Sequence, residues 1–260
     1  MATHHIHPDL LTRPVTVAVV GAGGTGSQVL TGLAQLHHAM RALGHPGGLK
    51  VIAYDDDLVS QANIGRQLFY PCDVGLPKAV VLINRINMSM GTHWGASVTR
   101  FNGDATYADI VIGCVDTRSS RAAIHRSLSH AHRPAYWLDI GNRQSDGQVI
   151  LGECGARHFA DRLPHAADLF PEVVDATKDG DEDGPSCSLA EALEKQSLFI
   201  NRGVALHALN MLFELFRYGE IQYHGVFVNL KTARTSPLAI DPQVWARFGY
   251  EPSHEKENPG

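Results

Sequence analysis

The chain has 260 residues, of which 44% are hydrophobic and 19% are charged. This composition excludes a disordered chain, a collagen and a disulfide-rich miniprotein, and no apolar run approaches the ~20 residues that a membrane span needs. The N-terminus lacks the apolar core of a signal peptide, and the four cysteines form no C-x-x-C pair. We therefore expect a cytoplasmic protein with free thiols, no structural zinc and no membrane partner.

The formal net charge of −5 comes from one segment. Residues 172–183 contain six acidic residues and one lysine, which leaves 21 basic and 21 acidic residues in the rest of the chain. The neutral body lacks the basic bias of a nucleic-acid-binding protein, so no nucleic-acid partner is expected. We hypothesise that the acidic segment selects a partner with a basic face; the alternative is a solvated linker.

Strands and helices alternate over the first 152 residues. Short runs of β-branched and apolar residues predict strands over residues 15–20, 50–54, 110–114, 135–140 and 148–152. Apolar residues at helical spacing predict helices from residue 25 to a Gly/Pro break at 44–48, from 77 to 90 and from 119 to 131. The alternation predicts an α/β fold with a doubly wound, mostly parallel, Rossmann-like sheet.

The rest of the chain predicts a C-terminal extension of one helix and one strand. Residues 155–187 have few periodic signals, and we expect them to form a long irregular or mobile loop. The longest helical pattern covers 189–218, and a strand follows at 221–230. We therefore expect a single domain over residues 1–244 and a disordered tail over 245–260.

A glycine-rich loop joins the first strand to the first helix. Gly21, Gly23 and Gly26 form the pattern G-x-G-x-x-G, and Gly24 adds a fourth glycine. A bare backbone at a helix N-terminus is typical of a nucleotide site, most often for NAD(P) or FAD, while the alternative is a closely packed turn. Asp55 ends the second strand, where an acid can bind ribose hydroxyls of a dinucleotide or of ATP.

Two cations after Asp55 distinguish between these cofactors. A dehydrogenase does not need Arg66 and Lys78 near the phosphates of its cofactor. An enzyme that releases pyrophosphate from ATP does need such cations, because negative charge develops on the bridging oxygen. Taken singly, each cation is better explained as a solvated surface residue, so the interpretation depends on the ordered set of motifs around them.

The ordered motifs are GAGGTGS, then D-x-D-x-V-x-x-x-N-x-x-RQ, then VG-x-PK, then C-x-D-x-x-x-x-R. In this order and spacing the chain resembles the ThiF/MoeB/HesA family, relatives of ubiquitin-activating enzymes. The resemblance covers roughly residues 15–152. More narrowly, the segment PSCSLAEALEKQSLFINR is similar to the ThiF-like component of PRTRC gene systems.

The resemblance implies an adenylyltransferase that uses ATP and Mg²⁺ to activate the C-terminal carboxylate of a ubiquitin-like, β-grasp partner. By position, Gly24 would approach the phosphates and Asp55 would bind the ribose. The triphosphate would contact Asn63, Arg66 and Lys78, with Gln67 and Asp57 as further cofactor-binding residues. Asp116 would hold the Mg²⁺. Cationic side chains and the metal would offset the repulsion between the anionic carboxylate and ATP. Family members usually pair, so a homodimer is expected.

Two departures from the family pattern favour a catalytically weakened scaffold as an alternative. Thr117 stands where relatives often have asparagine after the metal-binding aspartate. Relatives often supply an N-terminal arginine to the partner subunit's ATP, and the one candidate, Arg13, lies two residues before the first strand. Asp116 itself could instead cap the helix that follows it. A further alternative is an NAD(P)-dependent oxidoreductase built on the same glycine loop.

Cys187 is a candidate nucleophile. It lies just before the long predicted helix, and a helix N-terminus lowers the pKa of a thiol. The position resembles that of an acceptor cysteine in the mobile crossover loop of relatives, where a thiolate attacks the acyl-adenylate. Six nearby acids oppose thiolate formation, and the alternative is a structural cysteine.

Overall fold

A computed structural model describes residues 2–103, 107–131, 133–155, 162–179 and 189–252. In these ranges the chain forms ten strands: β1 His4–His5, β2 Val15–Val20, β3 Leu49–Tyr54, β4 Gly95–Ser97, β5 Ile110–Gly113, β6 Ala135–Asn142, β7 Asp146–Cys154, β8 Glu220–Ile221, β9 Tyr223–Asn229 and β10 Arg234–Ala239. The α-helices are α1 Gly24–Ala42, α2 Lys78–Met90, α3 Arg118–Ser129, α4 Ala166–Leu169, α5 Leu189–Lys195, α6 Ile200–Tyr218 and α7 Pro242–Ala246.

The main sheet has eight strands in the order β10-β9-β7-β6-β5-β2-β3-β4. The five strands from β6 to β4 are parallel, and β7, β9 and β10 add antiparallel strands at one edge. The prediction of a mostly parallel, Rossmann-like sheet with a C-terminal extension is confirmed. After β4 the chain returns to the other side of β2, so the strand order reverses between β2 and β5.

Helices cover both faces of the sheet. On one face α1 packs against α2 and α6. The contact with α6 is close because a Cβ at Gly32 would lie 2.1 Å from Leu209 Cδ1. On the other face His125 of α3 stacks on Trp137 of β6, with ring centroids 5.9 Å apart. No helix in the described ranges is long and apolar enough to cross a membrane.

The structure divides the predicted helix over 189–218 into α5 and α6. Ser197 in the break donates its backbone N–H to the carbonyl of Gln144, 2.7 Å away, so a tertiary contact replaces a helical hydrogen bond. The predicted strand 221–230 is shorter and is divided into β8 and β9. Strands β4 and β10 were not predicted. β4 has three residues, and β10 contains Pro237, which strand patterns disfavour.

The expectation of an irregular loop at 155–187 is wrong for residues 162–179, which together with Gly155 are its described part. This part forms α4 and the short 3₁₀ turns Pro171–Val174 and Ala176–Lys178. At its end, the Asp179 carboxylate accepts the backbone N–H groups of Arg118 and Ser119 at 2.7 and 2.9 Å. The first half of the acidic segment is therefore anchored to the N-terminus of α3.

The expectation of a disordered tail from residue 245 is also wrong for its described part. Trp245 of α7 is buried, and Phe248 and Tyr250 pack against the core. Trp245 Nε1 donates to Nε2 of the buried His224, 2.8 Å away, and His224 Nδ1 lies 2.9 Å from the carbonyl of Leu151. Aromatic packing thus holds the segment to β7 and β9, while residues 253–260 lie outside the described ranges.

Lowering the pH from 7 to 4.5 is expected to lower the free energy of unfolding through His224. Burial lowers the pKa of His224 from 6.5 to about 4. The unfolded chain therefore takes up the proton first as the pH falls below 6.5, and stability present above 6.5 is lost towards pH 4. The loss amounts to at most about 3 kcal/mol.

Urea unfolding at pH 7, 5.5 and 4.5 would test this effect in the wild-type protein and in His224→Gln. Glutamine can keep both hydrogen bonds but does not titrate. The variant should therefore show the shallower pH dependence. Equal slopes for the two proteins would contradict the assignment.

Candidate functional site

The candidate site lies where the strand order reverses, at the carboxyl ends of β2, β3, β5 and β6. In open α/β sheets this position forms a crevice, because the two adjoining connections leave the sheet on opposite faces. The backbone N–H groups of Gly21 and Cys114 bond to the ends of neighbouring strands, at 2.8 Å to the carbonyls of Tyr54 and Val20. These bonds align the glycine loop with the strand ends on both sides.

Two of the glycines are required by packing. Gly21 has φ +93°, and a Cβ there would lie 2.5 Å from the carbonyl oxygen of Cys114. A Cβ at Gly26 would lie 1.9 Å from the carbonyl oxygen of Gly21. At these two positions the closely packed turn, the alternative interpretation of the motif, is sufficient to explain the glycine.

Gly23 and Gly24 differ in the space around them. A Cβ at Gly24 would lie 2.7 Å from the side-chain amide of Asn201 on α6, so the structure gives this glycine a packing role. A Cβ at Gly23 would meet only the amide of Gln67, at 4.0 Å. Of the four glycines, Gly23 therefore leaves free space in front of the loop, and the predicted phosphate contact fits this position better than Gly24.

Asp55 ties the glycine loop to the end of β3. Its Oδ2 accepts the backbone N–H of Ala22 at 2.6 Å, and its Oδ1 accepts that of Asp57 at 2.9 Å. Burial raises the pKa of this carboxyl above its ordinary value. Each oxygen has a second lone pair, so Asp55 can still accept a hydroxyl of a ribose, as predicted.

Lys78 and Asp57 form a pair beside the loop. Lys78 Nζ lies 2.6 Å from Asp57 Oδ2, and the Lys78 side chain is only 9% exposed. Because Asp57 is its one hydrogen-bond acceptor among the described residues, two of the three N–H groups of Lys78 can serve other acceptors. Asn63 has a local role, since its Oδ1 accepts the backbone N–H of Ser60 at 2.8 Å. The structure thus brings Asp57 and Lys78 together and uses Asn63 to fix the turn before Arg66.

Arg66 and Asp116 lie close enough for their charges to interact. Burial lowers the pKa of the half-buried Arg66 guanidinium, and the carboxylate of Asp116 opposes that shift. Asp116 is exposed, and its carboxylate makes no hydrogen bond to a described residue. The alternative that Asp116 caps the following helix is wrong, because Thr117 takes the N-cap position and accepts the N–H of Ser120 at 3.2 Å.

The chemistry of Asp116 fits a magnesium ion that is held mainly by a nucleotide. Mg²⁺ prefers oxygen ligands and is commonly bound by one or two carboxylates together with substrate phosphates and water. Within the described ranges no three His, Cys, Asp or Glu side chains form a metal-binding group. Asp116 would therefore hold the ion together with phosphate oxygens, rather than as part of a protein cage.

The predicted Gln67 is buried beside the loop, and its Oε1 has no hydrogen-bond partner among the described atoms. Other polar side chains around the loop were not predicted, among them Asn142 at the end of β6, whose Nδ2 likewise has no partner among the described atoms. Thr25 Oγ1 donates to Asn201 Oδ1 at 2.8 Å. Asn142 and Asn201 have no sequence signal beyond their residue type, since only the strand order brings them to α1.

The structure explains Arg13 and leaves Cys187 untested. Arg13 makes a bidentate ion pair with the buried Asp109, at 2.8 and 2.9 Å. The pair lies at the amino ends of the parallel strands, whereas the site lies at their carboxyl ends. Cys187 lies outside the described residues. Two positions after it, the Leu189 side chain lies 3.4 Å from where a Cβ of Gly65 would be, next to Arg66.

Comparison with known proteins places these features in a family. The model of the ThiF family matches residues 11–242. Ubiquitin-like modifier-activating enzyme 5 of Drosophila pseudoobscura pseudoobscura is 30% identical over 147 residues, which make up 50% of this chain and 34% of that protein. The enzyme of the same name from Oryza sativa subsp. japonica is 26% identical over 148 residues, 50% and 32% of the two chains. The chain thus spans about a third of the length of these curated relatives.

Two solved structures share the fold. E. coli MccB with ATP superposes with a TM-score of 0.58 and 13% identity, over 95% of this chain and 67% of that one. PaaA gives a TM-score of 0.55 and 14% identity, over 87% and 64%. At these identities the likeness concerns the fold alone. The family model, by contrast, matches most of the sequence, and the chain therefore belongs to the ThiF family.

Proposed function

We propose that the protein uses ATP and Mg²⁺ to adenylate the C-terminal carboxylate of a ubiquitin-like, β-grasp protein. The observation that carries the proposal is the crevice itself. Lys78 interacts with Asp55, which holds the loop backbone at Ala22, Arg66 interacts with Asp116, and Gly23 leaves free space in the same loop. Membership in the ThiF family and the similarity to ubiquitin-like modifier-activating enzymes support the same chemistry, and the fold is shared with MccB, which has been solved with ATP.

The charges of the site suit an attack by one anion on another. In the proposed step, a carboxylate oxygen of the partner attacks the α-phosphorus of ATP, the bond to the bridging oxygen breaks, and pyrophosphate leaves. Lys78, positioned by Asp57, and Arg66 would offset the negative charge that develops on the leaving group. Asp55 would fix the ribose, and Gln67 would donate a supporting hydrogen bond. When bound, Mg²⁺ would add positive charge beside the phosphates.

ATP–pyrophosphate exchange against candidate β-grasp proteins that end in glycine tests the proposal. Labelled pyrophosphate enters ATP only when adenylation is reversible on the enzyme. Exchange that depends on the partner's free carboxylate is the expected result. Binding of a partner without exchange would instead favour the scaffold, which Thr117 and the engagement of Arg13 by Asp109 motivate.

We further propose that the protein acts in the cytoplasm as a homodimer, within a gene system of the PRTRC type. The support is the similarity of residues 185–202 to that subgroup and the pairing usual among family members. Light scattering on the purified protein at micromolar concentration measures the oligomeric state. A monomer that exchanges pyrophosphate would contradict the dimer and leave the adenylation proposal standing.

Cys187 is proposed to accept the activated acyl group. Its thiolate would attack the acyl carbon of the adenylate, AMP would leave, and a thioester would form. The described neighbours support this place in the chain, because Asp179 is anchored beside Asp116 and Leu189 lies over Gly65, beside Arg66. The two ends of the segment that contains Cys187 therefore flank the candidate site.

Substituting Cys187→Ala is expected to leave pyrophosphate exchange unchanged and to abolish a covalent acyl-sulfur adduct with the partner. Electrophoresis without reductant, with and without hydroxylamine, measures the adduct. Cys154→Ala is the matched control, since burial raises the pKa of that thiol and keeps it protonated. A cleavable adduct that persists in the Cys187 variant would contradict the assignment.

A further inference from the structure

A fully buried carboxylate lies directly beneath the strand end that carries Asp116. Asp139 of β6 has 0% exposure, and its Oδ1 accepts Nε of Arg121 at 3.0 Å. The Arg121 side chain is itself only 11% exposed. A buried ion pair is expensive to desolvate, and apolar residues of similar size often stabilise a fold equally well. The presence of this pair therefore calls for an explanation other than stability.

The same guanidinium also holds the loop before α3. Arg121 Nη1 donates to the backbone carbonyl of Asp116 at 3.4 Å, while Nε is bonded to Asp139. A Cβ at Gly141 would lie 3.2 Å from Arg121 Nη2, so glycine at this position makes room for the guanidinium. Arg121 thus connects a fixed point inside the sheet to the backbone of the exposed Asp116.

Few other contacts hold this loop in place. At one end the N–H of Cys114 bonds to the carbonyl of Val20, and at the other Thr117 caps α3 and Asp179 accepts the N–H groups of Arg118 and Ser119. Between these two ends, the described residues make one hydrogen bond from a side chain to the loop backbone. It is the bond from Arg121 to the carbonyl of Asp116. Arg121, which is itself bonded to Asp139, therefore ties the Asp116 backbone to the interior of the sheet.

The described residues satisfy only part of the hydrogen-bonding capacity of the Asp139 carboxylate. Its Oδ2 and the neighbouring Trp137 Nε1 have no hydrogen-bond partner among the described atoms. Gly113 lies between them, where a Cβ would be 3.3 Å from Trp137 Nε1 and 3.4 Å from Asp139 Oδ1. An arrangement built for stability alone would satisfy such groups or replace them. Among the described residues, the one side chain that forms a hydrogen bond to the Asp139 carboxylate is Arg121, which also reaches the site.

We infer that Asp139 is a positioning residue for Asp116. Acting through Arg121, Asp139 fixes the backbone that follows β5. From this backbone the carboxylate of Asp116 would contact the cation that binds together with the nucleotide. The inference rests on the proposed function, since it assigns Asp116 to that cation. It goes further in placing the determinant of cation affinity on β6, inside the sheet and away from any contact with the nucleotide.

The test measures Mg²⁺-dependent ATP binding rather than turnover. Calorimetric titration of ATP into the full-length protein, at a series of Mg²⁺ concentrations, gives the concentration for half-maximal enhancement of binding. For Asp139→Asn this concentration is expected to rise about tenfold, with ATP binding in EDTA unchanged. Asp116→Asn sets the upper limit of the shift, because it weakens the ligand itself.

A second variant separates positioning from stability. Asp139→Asn leaves Arg121 charged and unpaired, which can destabilise the fold. The double variant Arg121→Met with Asp139→Leu replaces the ion pair by apolar side chains and should recover thermal stability. Because the bond to the Asp116 backbone is still missing, its Mg²⁺ requirement should stay raised.

The matched control is Asp109→Asn. It disrupts another pair between a buried carboxylate and an arginine, at the amino ends of the parallel strands. It should lower thermal stability and leave the Mg²⁺ requirement unchanged. An unchanged Mg²⁺ requirement in both Asp139 variants overturns the inference, and so does an equal shift in the control. If the unaltered protein binds no ATP at any Mg²⁺ concentration, the proposed function falls and the inference falls with it.

Discussion

Replacing Arg66 or Asp116 with alanine is expected to abolish ATP–pyrophosphate exchange without unfolding the protein. Each change removes a charge that would act on the phosphates in the transition state, and loss of one such electrostatic group lowers turnover by roughly 10²- to 10³-fold. Little stability should be lost, because Asp116 is exposed and makes no hydrogen bond through its carboxylate to a described residue.

The two variants should differ in how they fail. Loss of Asp116 should be partly offset by a higher Mg²⁺ concentration, since water can replace a single carboxylate ligand at some loss of affinity. Loss of Arg66 should not respond to Mg²⁺, because this substitution leaves the proposed metal ligand Asp116 in place. Exchange rates measured over a range of Mg²⁺ concentrations separate these behaviours.

Asp56→Ala provides the matched control for Asp116→Ala. Asp56 is an exposed carboxylate between Asp55 and Asp57, so it lies next to two site residues and carries the same charge as Asp116. Its removal should leave exchange within about twofold of wild type, as for surface substitutions generally. Wild-type exchange by both Arg66→Ala and Asp116→Ala would show that the reaction takes place elsewhere.

The parts of this fold that the sequence predicted have local causes. The runs at 15–20 and 110–114 are apolar because β2 and β5 are buried on both faces of a parallel sheet, and this pattern can be read without tertiary information. The glycine loop is predictable for the same reason, since Gly21 and Gly26 are required within one strand–turn–helix unit. Strands β2, β3, β5, β6 and β7 follow from such signals.

The parts that were not predicted depend on contacts between distant residues. Gly24 looks like a phosphate-binding glycine until α6 is placed against α1, where Asn201 occupies the space above it. Asp139 and Arg121 are 18 residues apart, and only the pairing of β5 with β6 brings them together beneath Asp116. Trp245 and the side chain to which it donates a hydrogen bond, His224, are likewise separated by 21 residues in the sequence.

A comparison of Gly26→Ala with Gly23→Ala separates the two functions of the glycine motif. At Gly26 the new methyl group would lie 1.9 Å from the carbonyl oxygen of Gly21, which is backbone and cannot move alone. The loop must shift, and the expected loss of stability is about 3 kcal/mol or more. Gly26→Ala should therefore lower the urea midpoint strongly, and any loss of ATP binding would follow from the disrupted loop.

Gly23→Ala should show the reverse pattern. Its methyl group meets only the Gln67 amide at 4.0 Å, so the loss of stability should stay near the ~1 kcal/mol that alanine costs at a helix N-cap. The same methyl group enters the space in which the phosphates are proposed to lie, so ATP affinity should fall at least tenfold in a calorimetric titration. If Gly23→Ala binds ATP as tightly as the wild type while remaining folded, the phosphates do not lie over this glycine. The motif would then be a packing device whose resemblance to a nucleotide loop comes from the geometry of the turn, since Gly21 and Gly26 are explained by packing alone.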